Sequence, residues 1–138
     1  MKILIADDDE NCRALLEGYL SRFGEIQFAA TGGDAVRAVE ESIKEQSRFD
    51  LVCLDIMMPE VDGINALGQI RKLEEVHGIG GLAGVKVIMT TALGDIKNVL
   101  SAFRQGCEAY VVKPFDREQL YTRLREVGIG TEESSTGE

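Results

Sequence analysis

Four charged side chains and two hydroxyls close apolar runs of this sequence: Asp7 and Asp8 follow "KILIA", Asp55 follows "LVCL", Thr90 and Thr91 follow "KVIM", and Lys113 follows "AYVV". A carboxylate at the mouth of a hydrophobic strand caps a turn, ligates a metal or reacts. Two or three of them at one place would repel and raise one another's pKa values unless a cation sat among them. No His or Cys is expected beside these acids, so the donors are oxygens and Mg2+ suits them better than zinc. Mg2+ keeps several waters and shares its shell with a substrate phosphate, while Lys113 and the hydroxyl of Thr91 could hold two further phosphoryl oxygens. Asp55 would then be the nucleophile of a phosphoryl transfer, forming an aspartyl phosphate. Metal and lysine would stabilise the charge spread over the transferring group, which is most of what that reaction asks of a protein.

These groups can meet only if the runs are strands of one sheet. "KILIA" is rich in β-branched residues and stops at "DDDE", after which Cys12, Leu15, Leu16, Tyr19, Leu20 and Phe23 recur at helical spacing up to Gly24. Asp9 is placed to cap that helix and Gly24 to end it in a left-handed conformation. A weaker strand "EIQFAA", a turn "TGGD" and an amphipathic helix "AVRAVEESIKEQ" follow. "FDLVCLD" is nearly continuously apolar, the mark of a strand buried on both faces. After "MMPEVDG" a third helix carries Ile64, Leu67, Ile70 and Leu73. A glycine-dense connector, "HGIGGLAG", leads to the strand "VKVIMTT". A fourth helix puts Ile96, Val99, Leu100 and Phe103 on one face, and "AYVVK" is the last strand. The closing helix starts after Pro114 with Asp116 as cap and Gln119 three residues on, a variant of the capping box. Strands alternating with helices in this way predict an α/β fold, a doubly wound five-stranded parallel sheet with helices on both faces, and a functional crevice at the carboxyl ends of the strands.

With 138 residues and 44% hydrophobic content the chain suffices for one core and one domain. A net charge of -9 argues against non-specific binding to nucleic acid or an anionic membrane. Cys12, Cys53 and Cys107 form no paired motif and suit a reducing compartment. No apolar stretch approaches the roughly 20 residues of a membrane span, and "MKILIADDDE" turns acidic too soon for a signal peptide, so a cytoplasmic location is expected. The domain should occupy residues 1–128, with 129–138 as a disordered polar tail. Some residues carry plain structural readings: Asp9 as a cap, His77 as an exposed loop histidine, Cys53 as a small hydrophobe and the Met57-Met58 pair as turn packing.

Taken together, "ILIADDDE", "LDIMMPEVDG", "MTTA" and "YVVKPF", in this order at strand ends, resemble the receiver domain of two-component response regulators, in particular the stand-alone chemotaxis-type regulator. The resemblance covers about residues 1–128. It implies the flavodoxin-like strand order 2-1-3-4-5, which sets the first and third strands side by side. It further implies that Asp55 is the phosphoacceptor, that Asp8 binds Mg2+ directly and Asp7 mainly through water, and that the backbone carbonyl of Met57 completes the protein's share of the metal shell. Thr91, followed by Ala92 and 22 positions before Lys113, matches the switch hydroxyl. Tyr110 matches the aromatic switch residue, and Lys113-Pro114 the family's Lys-Pro pair, whose peptide bond is usually cis. Two features depart from the family pattern. "HGIGGLAG" lengthens the connector before the fourth strand without being expected to move the site. Met57 and Leu93 occupy variable positions that influence attack by water, and both are apolar here, so a moderately long-lived phosphoaspartate is expected.

The partners implied are a sensor histidine kinase or a histidine phosphotransfer protein as phosphodonor. A downstream protein target or a second copy would dock on the surface of the fourth helix, fifth strand and fifth helix, where Lys97, Arg104, Arg117, Arg123 and Arg125 lie. No direct nucleic-acid or membrane contact is expected, and the only reactions would be its own phosphotransfer and autodephosphorylation. Two other readings are a small hydrolase or nucleotide-binding enzyme on the same fold, with Asp55 serving metal-assisted phosphate hydrolysis, and a phosphate-independent interaction module. The first lacks a G-x-x-x-x-G-K-[ST] loop, a dinucleotide loop and a lid; the second sits poorly with intact Asp8, Asp55 and Lys113. A starting methionine and the polar tail read as a stand-alone receiver, one domain of a longer chain being the alternative.

Overall fold

The computed structural model describes residues 1–130. Its elements, in chain order, are β1 (Lys2–Ala6), α1 (Glu10–Leu20), β2 (Glu25–Ala29), α2 (Gly32–Lys44), β3 (Leu51–Asp55), α3 (Gly63–Val76), β4 (Lys86–Ala92), α4 (Val99–Gln105), β5 (Ala109–Lys113) and α5 (Arg117–Glu126). The sheet runs β2-β1-β3-β4-β5 and every pairing is parallel. That is the strand order implied by the resemblance to receiver domains, in the doubly wound fold expected from the sequence.

Alternation along the strands divides the core into two layers. Leu4, Val52, Leu54, Val87 and Met89 pack toward Ala35 and Val39 of α2, Leu67 and Ile70 of α3 and Ala102 of α4. Ile3, Ile5, Leu51, Cys53, Ile88 and Val111 pack toward Leu16 and Leu20 of α1 and Leu120 and Leu124 of α5. Burial on both faces explains why β3 reads as an unbroken apolar run, with all five of its residues buried. Four helices start on a side-chain cap just past the sheet's carboxyl edge. Asp9 accepts from the Asn11 N–H, Thr31 from Asp34, Asp62 from Asn65, and Asp116 from Gln119, whose side chain returns the bond to complete a capping box.

Three details differ from the sequence reading. The chain leaves α1 through a 3-10 turn, Ser21–Phe23, and Gly24 is extended rather than left-handed. Glycine is needed there for space, because a Cβ would lie 2.1 Å from the Met1 carbonyl oxygen. The fourth helical segment opens as a 3-10 turn over Leu93–Asn98 before α4. It buries Val99 and Ala102 while Ile96, Leu100 and Phe103 face outward. At the C-terminal end, Ile129 is buried and its N–H bonds to the Leu124 carbonyl. Residues 131–138 of the expected polar tail lie outside the described residues. The glycine-rich connector does not disturb the sheet, since β3 and β4 stay paired from Leu51 with Lys86 to Asp55 with Thr90. Among the described residues no helix is long and apolar enough to cross a membrane.

Candidate functional site

The carboxyl ends of β1, β3 and β5 bring Asp7, Asp8, Asp55 and Lys113 together. Carboxylate oxygens of Asp7, Asp8 and Asp55 lie within 4.8 Å of one another. Lys113 Nζ donates to Asp7 Oδ2 and to Asp55 Oδ2, each at 3.0 Å. Asp7 and Asp55 are buried whereas Asp8 is exposed, so the cluster opens to solvent on one side. All three acids offer hard oxygen ligands around a common point, a donor set that fits Mg2+ and leaves room for water in its shell. These are the three acids that the sequence reading named as metal ligands beside the Met57 carbonyl.

The local chain explains why the acids stay in place. Asp55 Oδ1 accepts the Met57 N–H at 3.2 Å, and the turn after β3 folds back so that the Gly63 N–H reaches the Ile56 carbonyl at 2.7 Å. A Cβ at residue 63 would come within 2.1 Å of the Asp55 carbonyl oxygen, so the close return requires glycine. Asp7 is fixed by the Asp9 N–H at 2.9 Å, and its carbonyl accepts Arg13 Nη1 at 2.7 Å. The Lys113-Pro114 peptide is cis.

Electrostatics separate the two buried acids. Burial pushes the Asp55 carboxyl up to about 6, and the neighbouring Asp7 charge pushes the same way against Lys113. Asp7 goes the other way: burial would raise it, but hydrogen bonds from Cys12, the Asp9 amide and Lys113 bring it below the usual value. Lys113 is raised by those carboxylates despite burial. Cys12 is a correction to the expectation that no cysteine accompanies the acids. The first turn of α1 folds over the end of β1, and the Cys12 thiol is pushed up to about 12 by burial and by its bond to Asp7.

Thr91 is buried at the end of β4 and its hydroxyl donates to the Ala92 carbonyl at 3.2 Å. Tyr110 is half-buried, packed edge-on against Phe103 with ring centroids 6.1 Å apart. Thr91 and Tyr110 lie toward the α2, α3 and α4 layer, while Asp55 and Lys113 project toward α1 and α5. His77 lies outside the cluster, capping α3 with its ring on the Leu73 carbonyl. The sequence reading named neither Arg13 nor Gly63, and it read Cys12 only as an apolar position of the first helix and an unpaired cysteine.

Comparison with known proteins agrees with this geometry. The family model described as "Response regulator receiver domain" matches residues 3–125. The chain is 38% identical over 126 residues to the probable transcriptional regulator ycf27 of Guillardia theta, covering 91% of this chain and 44% of that protein. It is 34% identical to the transcriptional regulatory protein ResD of Bacillus subtilis over 90% of this chain and 46% of that one. The chain therefore spans about half the length of the curated relatives it matches. In the CheX-CheY-BeF3-Mg2+ complex from Borrelia burgdorferi, the matched chain superposes with a TM-score of 0.77 at 30% identity, covering 94% of this chain and 90% of that one. With the acidic cluster at the strand ends and a match over nearly its whole length, the chain belongs to the receiver domains of response regulators, the switch component of two-component signalling.

Proposed function

We propose that Asp55 accepts a phosphoryl group from a phosphohistidine of a partner histidine kinase or phosphotransfer protein, in the cytoplasm. The observation that carries this reading is the convergence of Asp7, Asp8, Asp55 and Lys113 within hydrogen-bonding or ligand distance at the strand ends. A carboxylate oxygen of Asp55 attacks phosphorus, the phosphorus–nitrogen bond breaks, and its electron pair returns to the imidazole, which takes a proton. Asp7, Asp8, Asp55 and the Met57 carbonyl would hold Mg2+, which when bound supplies positive charge to the phosphoryl oxygens. Lys113, already between Asp7 and Asp55, is placed to follow the incoming negative charge. Autodephosphorylation follows when a water oxygen bonds to phosphorus, the Asp55 oxygen–phosphorus bond breaks with its electron pair left on the carboxylate, and inorganic phosphate departs.

Thr91 then reports the phosphoryl group to Tyr110, whose ring rests on Phe103 at the α4 surface. The face formed by α4, β5 and α5 exposes Ile96, Leu100 and Phe103 beside Lys97, Arg104, Arg117, Arg123 and Arg125. An apolar strip with a basic margin suits a protein target with an acidic rim, or a second copy. A switch of this kind needs differential contacts in two states, and the phosphoryl group would supply them through Thr91 and Tyr110.

The test is intact mass after incubation with Mg2+ and acetyl phosphate, for the wild type and Asp55→Asn. A Mg2+-dependent gain of one phosphoryl group, labile to hydroxylamine and absent from the variant, is expected. No adduct, with Mg2+ binding confirmed and a beryllofluoride titration excluding rapid hydrolysis, would reduce Asp55 to a metal ligand.

A further inference from the structure

Among the described residues, the buried side-chain polar atom without a hydrogen-bond partner is Thr90 Oγ1. Thr90 is 1% exposed, so bulk water does not serve it. It belongs to neither the metal cluster nor the Thr91–Tyr110 pair. A valine would fill the same space, and a buried hydroxyl without a partner is unfavourable.

Its place in the sheet narrows the possible partners. Thr90 stands in register with Asp55 on β3 and with Val111 on β5. By strand alternation it shares a face with Ile88, which packs in the α1 and α5 layer along with Cys53 and Val111. Along its own strand the neighbours on that face are Ile88 and Ala92. Of these four sheet neighbours, Asp55 alone carries a side-chain acceptor. The diagonal neighbour Lys113 has donors only and is engaged with Asp7 and Asp55.

We propose that Thr90 positions the phosphoacceptor: its hydroxyl donates to the Asp55 carboxylate in the phosphorylated site and stabilises that carboxylate as it leaves phosphorus. The inference rests on the reading of Asp55 as phosphoacceptor. In the unphosphorylated site Lys113 and the Met57 amide hold the two carboxylate oxygens. Once one oxygen carries phosphorus, Lys113 follows the new charge, and rotation about the Thr90 χ1 angle brings Oγ1 toward Asp55. In hydrolysis a water oxygen bonds to phosphorus while the Asp55 oxygen–phosphorus bond breaks. The bonding electron pair stays on the carboxylate and the water's surplus proton passes to solvent, leaving inorganic phosphate. Negative charge develops on the group Thr90 faces, so a preplaced donor speeds this step. Thr90 therefore shortens the life of the aspartyl phosphate.

The experiment compares wild type, Thr90→Val and Thr90→Ser, each phosphorylated with acetyl phosphate and then freed of it, following the adduct by intact mass. Mg2+ affinity and unfolding midpoint are measured alongside. Valine keeps the shape without the hydroxyl and serine keeps the hydroxyl. We expect Thr90→Val to lengthen the half-life by about threefold to tenfold, Thr90→Ser to restore it to near wild type, and Mg2+ affinity to be the same in all three. Equal half-lives in Thr90→Val and wild type would overturn the proposal, as would equal lengthening by both variants, which would point to packing. An unphosphorylatable wild type would overturn the reading of Asp55 as phosphoacceptor and this inference together, an outcome distinct from an adduct whose lifetime ignores the hydroxyl.

Discussion

Lys113 Nζ stands 3.0 Å from Asp55 Oδ2 and is shared with Asp7 Oδ2 at the same distance, so a single ammonium group serves two buried carboxylates. Removing it leaves both acids facing each other at low exposure. Lys113→Met should lower the stability of the metal-free domain at neutral pH by about 1–3 kcal/mol, limited because one carboxyl can take up a proton. Mg2+ should recover part of the loss. Urea unfolding with and without Mg2+ checks this; a variant as stable as wild type in the absence of Mg2+ would show that the pair contributes nothing.

Asp55 gives a stability dependence of definite sign. Its folded value of about 6 lies above the ordinary 3.8, so between these the folded state binds more protons than the unfolded chain. Stability of the metal-free domain therefore falls, through this group, as pH rises from about 4 to about 6, and the penalty persists above that. Asp7, depressed, works oppositely and contributes stability that is lost as pH falls through its folded value. Asp55→Asn should accordingly stabilise the metal-free domain at pH 7 by about 1–2 kcal/mol, with the difference from wild type shrinking toward pH 4. A difference that grows on acidification would contradict the assignment.

Met57 and Leu93, two residues past Asp55 and Thr91, are more than half exposed and carry apolar side chains that cannot orient a water. With Asp55 as phosphoacceptor, Met57→Asn and Leu93→Gln each supply an amide that can. Each should shorten the aspartyl phosphate half-life by about threefold to tenfold. The decay of the acetyl phosphate adduct gives the measurement, and a wild-type half-life of seconds or less would already remove the premise.

The main features of the site were legible because each of its strands ends on the group that matters, and strand ends are marked by the change from apolar to polar residues. The caps at Asp9 and Asp116 were legible for the same local reason, whereas the Asp62 cap of α3 was read only as part of a turn. Cys12 and Arg13 were not, since their contacts with Asp7 depend on how the first turn of α1 folds over β1. Thr90 was passed over beside Thr91 because two adjacent hydroxyls on a strand face opposite sides, and only the register with Asp55 shows which environment each enters. The outward turn of Ile96, Leu100 and Phe103 depends on a 3-10 start to the fourth helical segment, whose apolar spacing alone does not distinguish core from exposed face.

Arg71 forms the other polar centre of the molecule, at the opposite edge of the sheet. Its Nε and Nη2 donate to the Gly106 carbonyl at 3.1 and 2.7 Å, Nη1 donates to Glu74 Oε1 and the Val85 carbonyl, each at 2.8 Å, and Nη2 reaches Glu108 Oε1 at 3.0 Å. Glu74 in turn accepts the Val85 N–H at 2.7 Å, and Glu108 accepts the Val87 N–H at 2.7 Å. One guanidinium thus ties α3, the start of β4 and the end of α4 together across the long glycine-rich connector, and it balances a buried glutamate. Arg71→Met should lower stability by about 2–4 kcal/mol, because it leaves Glu74 buried beside unpaired carbonyls. Adding Glu74→Gln to that variant should return part of the loss, since the neutral amide keeps an acceptor for the Val85 N–H without the charge. Chemical unfolding of the two single variants and the double variant forms the cycle, and strictly additive losses would mean that Arg71 and Glu74 act independently.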